Sequence, residues 1–236
     1  MNTKIRTAPN YDILYKNGML NATFLIGPDP LDADFDHSVF LGLRLRLRNA
    51  GFEMTDSKRG MEIFESTFRH SNTDIGARIR IVHGRNYDGD LQKLWSETVA
   101  SEDLIYLKTH AGYGKHISLS DDVGFFTDAM REGFDHKERK TYQLYYLDCC
   151  KSEMYYKDVF RDYIGKDGVD LILHKWFCDY KIIGPAIVLI QQLMAGSDFD
   201  TIVDKMNNEY GVPHYDLEDD PADMTLDRKM VTYSMG

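Results

Sequence analysis

Short apolar runs with a period of two alternate along the chain with stretches whose apolar residues recur every three or four positions, the rhythm of strands interleaved with helices. Residues 22–26 (ATFLI) read as a buried first strand, stopped by Gly27-Pro28-Asp29-Pro30. Beyond a loop carrying four acids, residues 41–48 alternate strictly as LGLRLRLR, yet Val39, Leu43, Leu47 and Ala50 also fall on one helical stripe ended by Gly51. A helix is favoured here, because a crossover between parallel strands is usually helical. Met61 to His70 fits a helix or an irregular arm. Residues 78–82 (RIRIV) alternate as a half-exposed second strand, and a helix from Asp90 to Ala100 presents Leu91, Leu94, Trp95 and Val99 on one side.

Residues 103–109 make the third strand, which delivers His110, and residues 117–119 are a candidate short strand. Asp121 or Asp122 can cap a helix carrying Val123, Phe126, Met130 and Phe134 at helical spacing. The fourth strand, 142–147, ends in Asp148-Cys149-Cys150-Lys151-Ser152, and a helix with Met154, Val159, Phe160 and Tyr163 inside comes next. Val169 to His174 is the fifth strand. Pro185 opens an apolar helix ending near Gly196, and Ser197 with Asp200 forms a capping-box-like start for the last helix. An acidic loop, 216–223, leads to a final candidate strand, 229–234. About six strands with helices between them predict an α/β fold, a three-layer α/β/α sandwich on a mostly parallel sheet. No Gly/Ser- or Pro-rich linker interrupts the pattern, so residues 22–236 read as a single domain behind an N-terminal extension, 1–21.

Composition narrows the partners. The 236 residues carry a formal net charge of -10, which argues against a nucleic-acid partner and suits a basic peptide. The N-terminus lacks the apolar run of a signal peptide, and no later run approaches membrane-spanning length, so no membrane partner and a cytoplasmic location are expected. Three cysteines, two of them adjacent, make a poor disulfide framework and fit a reducing compartment. Arg44, Arg46 and Arg48 read as a solvated face with buried aliphatic stems in preference to a phosphate patch. No G-x-S-x-G elbow, P-loop or G-x-G-x-x-G is present, so no cofactor is implied. The oligomeric state is left open.

The chemistry concentrates between Asp103 and Ser152. His110 and Cys150 sit at the ends of two strands expected to be neighbours, beyond the carboxyl edge where open α/β sheets bind ligands. A thiol is useful as thiolate, and a strand end running into a helix N-terminus favours that form. Cys150 has this placement; Cys149, by alternation, points to the other face. Cys178 reads as a small buried apolar residue. His83, at the end of the second strand, is a weaker candidate than His110 because its strand is more polar and nearer the expected sheet edge. His110, His116, Cys149 and Cys150 match no structural-zinc spacing, so no metal is expected.

An apolar strand ending in His with a Gly-containing loop (LIYLKTHAGYG, 104–114), a helix, and an apolar strand ending in Asp-x-Cys (LYYLDCCKS, 144–152) resemble the caspase-like cysteine peptidases. The second motif is closest to the metacaspase Asp-Cys-Cys-His-Ser-Gly. The resemblance implies a caspase-like sheet, Cys150 as nucleophile, His110 as general acid/base, and an oxyanion hole from the backbone of Cys150 and the Ala111-Gly112 loop. It implies that Asp148 lines the first specificity pocket, with Asp29 a second carboxylate, and hence cleavage of a peptide or protein substrate after a basic residue. Asp148 also reads as a simple cap of the following helix. His110-Ala111-Gly112 replaces the usual His-Gly, Lys151 replaces His or Arg, and Glu153 stands where Gly often follows Ser. These departures keep open a catalytically silent caspase-fold signalling or adaptor module. A Cys-dependent hydrolase of small molecules is a further alternative. Self-processing would fall in loop 216–223 or the basic run Lys137 to Lys140.

Overall fold

The computed structural model describes residues 6–28, 33–111, 117, 119, 142–164, 168–175, 178–210 and 230–234. The strands are β1 (Met19–Ile26), β2 (Glu53–Lys58), β3 (Met61–His70), β4 (Thr73–His83), β5 (Leu104–Lys108), β6 (Gln143–Asp148), β7 (Val169–His174) and β8 (Met230–Ser234). The helices are α1 (Tyr11–Leu14), α2 (Ala33–Asn49), α3 (Leu91–Ser101), α4 (Ser152–Ile164), α5 (Gly184–Ala195) and α6 (Phe199–Tyr210). All eight strands join one sheet in the order β2-β3-β4-β1-β5-β6-β7-β8. The central five run parallel, while β2, β3 and β8 complete the edges by antiparallel pairing.

Two apolar clusters lie on opposite faces of this sheet. On one face, Phe24, Tyr106, Leu144, Tyr146 and Ile172 meet α1, α2, α5 and α6. On the other, Leu25, Leu107, Tyr145, Leu147 and Leu171 meet Leu94, Trp95 and Val99 of α3 and Tyr156 and Phe160 of α4. Consecutive strand residues thus serve opposite cores, which is why the central strands read as continuous apolar runs. The arrangement is the expected α/β/α sandwich.

The sheet is larger than the expected six strands by the β2–β3 hairpin. Residues 53–58 (EMTDSK) are exposed throughout, and the outer half of β3 alternates exposed and partly buried, so neither carried an apolar signal. The ambiguous segment Met61–His70 is therefore strand, held by antiparallel pairing to β4. Because that hairpin covers it, β4, which ends in His83, lies inside the sheet and not near the expected edge. The LGLRLRLR segment is helix, as favoured, and β1 begins three residues earlier than the apolar run, at Met19.

Several boundaries shift for local reasons. Pro185 stands in the first turn of α5, and Gly196, at φ 72°, ends it in the left-handed conformation. Asp198, in place of the Ser197–Asp200 pair, caps α6: its carboxylate accepts from the Thr201 N–H at 2.8 Å. On α4, Tyr156 and Phe160 are buried and Val159 packs half-buried against the same cluster, whereas Met154 is 76% exposed. Ile117 and Leu119 are buried in the second cluster. The expected helix after Asp121, the loop 216–223 and the run Lys137 to Lys140 lie outside the described residues.

Candidate functional site

The parallel register sets the site. Lys108 on β5 pairs in register with Asp148 on β6, and His174 ends the next strand, β7. These three side chains form a buried row at the carboxyl edge of the sheet. Two residues beyond the ends of β5 and β6 stand His110 and Cys150. The structure thus brings the two predicted reactive residues to neighbouring strand ends over an ionic floor.

The floor is closed on itself. The Lys108 ammonium donates to Asp148 Oδ2 at 2.9 Å, to the Asp179 carbonyl at 3.0 Å and to the Ile182 carbonyl at 2.9 Å, using all three of its hydrogens. Asp148 Oδ2 also accepts from Tyr106 Oη at 2.8 Å, and Oδ1 lies 3.1 Å from His174 Nε2. Burial pushes the Asp148 carboxyl up, but Lys108 and His174 together outweigh it and hold the group at about 2. Asp148 is fully buried and its charge is taken by Lys108, so it braces the site from inside and presents no carboxylate to a substrate side chain. That differs from both sequence readings, pocket lining and helix capping, because a lysine at the matching position of the next strand intervenes.

Above this floor the backbone turns sharply. β6 ends at Asp148, α4 begins at Ser152, and Lys151 between them adopts φ 51°, a left-handed conformation that costs a residue with a Cβ about 1–2 kcal/mol. Ser152 ties the turn down: its hydroxyl donates to the Leu147 carbonyl at 2.9 Å and accepts from the His174 N–H at 2.8 Å. Both cysteines pack against the second cluster, contrary to the expected alternation, because β6 ends at Asp148, and they differ in exposure instead. Cys149 is buried in the second cluster, where burial pushes its thiol up; Cys150 is only partly buried.

Cys150 meets a residue that the sequence reading treated as core filling. Its Sγ lies 3.9 Å from Cys178 Sγ and accepts the Cys178 backbone N–H at 3.4 Å. The Cys178 thiol hydrogen bond is the largest influence and lowers the Cys150 thiol; burial opposes it, and the Cys178 N–H, His110 and His174 add to the lowering, leaving Cys150 at about 6. Cys178 is pushed up in turn, first by that same hydrogen bond and then by burial. Of the two thiols, Cys150 is the one that gives up its proton first.

His110, partly buried, stacks on Tyr180 with ring centroids 5.2 Å apart and planes 3° from parallel. The Tyr180 hydroxyl donates to the Gly27 carbonyl, and Lys108 Nζ lies 5.6 Å from the same ring. The segment 178–183 is therefore pinned by Lys108 from below and by Gly27 at its side, and it delivers Cys178 to Cys150 and Tyr180 to His110. Ala111 is buried, and its carbonyl accepts from the Tyr156 hydroxyl on α4. Gly112 and Asp29 lie outside the described residues. His83 serves elsewhere: it is buried with Nε2 3.0 Å from Asp36 Oδ2, and burial lowers its pKa.

Sequence reasoning missed Lys108, His174, Cys178 and Tyr180. Lys108 and Asp148 left a trace, since each is a lone charge closing an otherwise apolar strand. Cys178 and Tyr180 left none, because they reach the site through a loop that local periodicity does not describe.

Among the described residues no group of three or more His, Cys, Asp or Glu side chains could hold a metal ion, and no helix is long and apolar enough to cross a membrane. No protein-family model and no curated protein matches the chain.

Proposed function

We propose that the chain is a caspase-like cysteine peptidase in which Cys150 attacks a peptide carbonyl and His110 protonates the leaving amine. The supporting observation is that Cys150 is held toward the thiolate at neutral pH, at about 6, with His110 among the groups that lower it, at the carboxyl ends of adjacent parallel strands. A thiolate beside an imidazole is the pairing that nucleophilic acyl transfer requires. The strained Lys151 turn supports the same reading, since residues held outside ordinary backbone regions cluster at active sites.

In this mechanism Cys150 Sγ bonds to the carbonyl carbon, and the carbonyl oxygen takes the displaced electron pair. Backbone N–H groups of Cys150 and the Ala111-Gly112 loop receive that oxyanion. Collapse of the tetrahedral species breaks the C–N bond as His110 gives its proton to the amine, and water then hydrolyses the thioester. Tyr180 orients the imidazole by stacking on it.

Cleavage after a basic residue rests on Asp29 and on the net charge of -10, because Asp148 is already neutralised. Asp29 and a peptide carrying Arg or Lys would pair by charge. A catalytically silent module is the second reading, and the buried Ala111 in place of an open glycine favours it.

The test is cleavage of Arg-, Lys- and Asp-terminated reporter peptides by wild type, Cys150→Ala and His110→Ala. The expected result is cleavage by wild type alone, with Arg or Lys preferred. Cleavage that persists in Cys150→Ala overturns the assignment, and no cleavage of any reporter by wild type favours the silent module.

A further inference from the structure

The contact between Cys150 and Cys178 has chemistry of its own, whether or not the chain cleaves peptides. The structure holds both cysteines as free thiols, with their sulfurs 3.9 Å apart. A disulfide requires a sulfur separation of about 2.05 Å, so the pair must close by about 2 Å. Cys178 lies on a loop segment, beyond the end of β7, and no strand pairing constrains its approach. The third thiol, Cys149, is fully buried, and a bridge between adjacent residues is strained. The pair therefore has an attacking sulfur and a resolving sulfur at contact distance, while the remaining thiol is fully buried.

We propose that Cys150 and Cys178 form a reversible oxidation site for hydrogen peroxide or another small hydroperoxide. The Cys150 thiolate attacks one peroxide oxygen, the O–O bond breaks, and the departing oxygen takes up a proton to leave as water (or as an alcohol), giving Cys150 sulfenic acid. The Cys178 sulfur then attacks the Cys150 sulfur; the S–O bond breaks, and the sulfenic oxygen leaves as water with the Cys178 proton. Two thiols are oxidised by two electrons, and one peroxide is reduced. A dithiol reductant reverses the bridge by exchange. The short separation favours trapping at the disulfide over further oxidation of Cys150, because the resolving sulfur is already in contact when the sulfenic acid forms.

The bridge would consume the sulfur that the proposed peptidase uses as nucleophile, so oxidation and peptide cleavage would exclude one another. The oxidation itself does not rest on that reading, and its measurement contains no peptide substrate.

Purified full-length protein treated with hydrogen peroxide, denatured in iodoacetamide and mapped by mass spectrometry tests it. Two of the three thiols are expected to disappear into a single Cys150–Cys178 cross-linked peptide, with intact mass falling by about 2 Da, and dithiothreitol restores all three. Cys178→Ser is expected to carry Cys150 as sulfinic acid that dithiothreitol leaves unchanged, with circular dichroism checking its fold. A wild-type product with Cys150 over-oxidised and Cys178 free overturns the proposal, as does a bridge that uses Cys149. Thiol loss in Cys178→Ser as reversible as in wild type does the same.

Discussion

Cys150 owes its character to three neighbours supplied by three different strands or loops. The Cys178 thiol and N–H donate toward its sulfur, and His110 and His174 add positive potential when protonated. A thiol at about 6 is mostly thiolate at pH 7 and mostly protonated at pH 5, so iodoacetamide labelling of Cys150 should fall about tenfold between those values. Peptide mapping of the labelled protein measures it. Labelling that rises only through the ordinary thiol range, near 9, would show that the Cys178 contact is not made in solution. Cys149, one residue away but fully buried, should stay unlabelled throughout.

At the scale of elements, the site depends on turns and loops whose geometry tolerates few residues. The β2–β3 hairpin covers β4 and turns at Gly60, which has φ 71° and whose absent Cβ would fall 2.4 Å from the backbone of Asn86 and Tyr87. Gly60→Ala therefore adds a left-handed strain and a backbone clash together, and it is expected to lower the unfolding free energy by about 1–3 kcal/mol. Urea unfolding of the variant beside wild type reads the loss. The segment 178–183 is held differently, by side chains reaching into it: Lys108 satisfies two of its carbonyls, and its own Tyr180 reaches Gly27. That is how a connection without regular structure presents both a sulfur and an aromatic ring in fixed positions.

Across the whole molecule, the Lys108–Asp148–His174 row joins β5, β6 and β7 to the loop above them. Asp148 has a folded-state value of about 2 against an ordinary 3.8. Its contribution to stability is therefore complete above about pH 4 and is lost as pH falls through that interval toward 2. Lys108→Ala leaves a buried carboxylate without its cation and should cost about 3–5 kcal/mol at neutral pH, read by urea unfolding; Lys108→Met with Asp148→Leu, which removes both charges, should recover only part of the loss, because the Asp179 and Ile182 carbonyls and the Tyr106 hydroxyl still lose their partners. The sandwich layers and the adjacency of β5 and β6 follow from the pattern of the sequence, because a residue's face is set by its position in its own strand, whereas the full strand order emerges only from the sheet pairing. The β2–β3 hairpin was illegible because an exposed, polar strand buries nothing and leaves no apolar rhythm. His110 and Cys150 could be named from the chain alone, since each follows an apolar strand whose carboxyl end must face the ligand edge. Cys178, Tyr180 and the burial of Asp148 were decided only in three dimensions, by a loop and a cross-strand cation. Contacts between residues 28 or more positions apart depend on how separate elements pack, and that packing is not written in either element's local pattern.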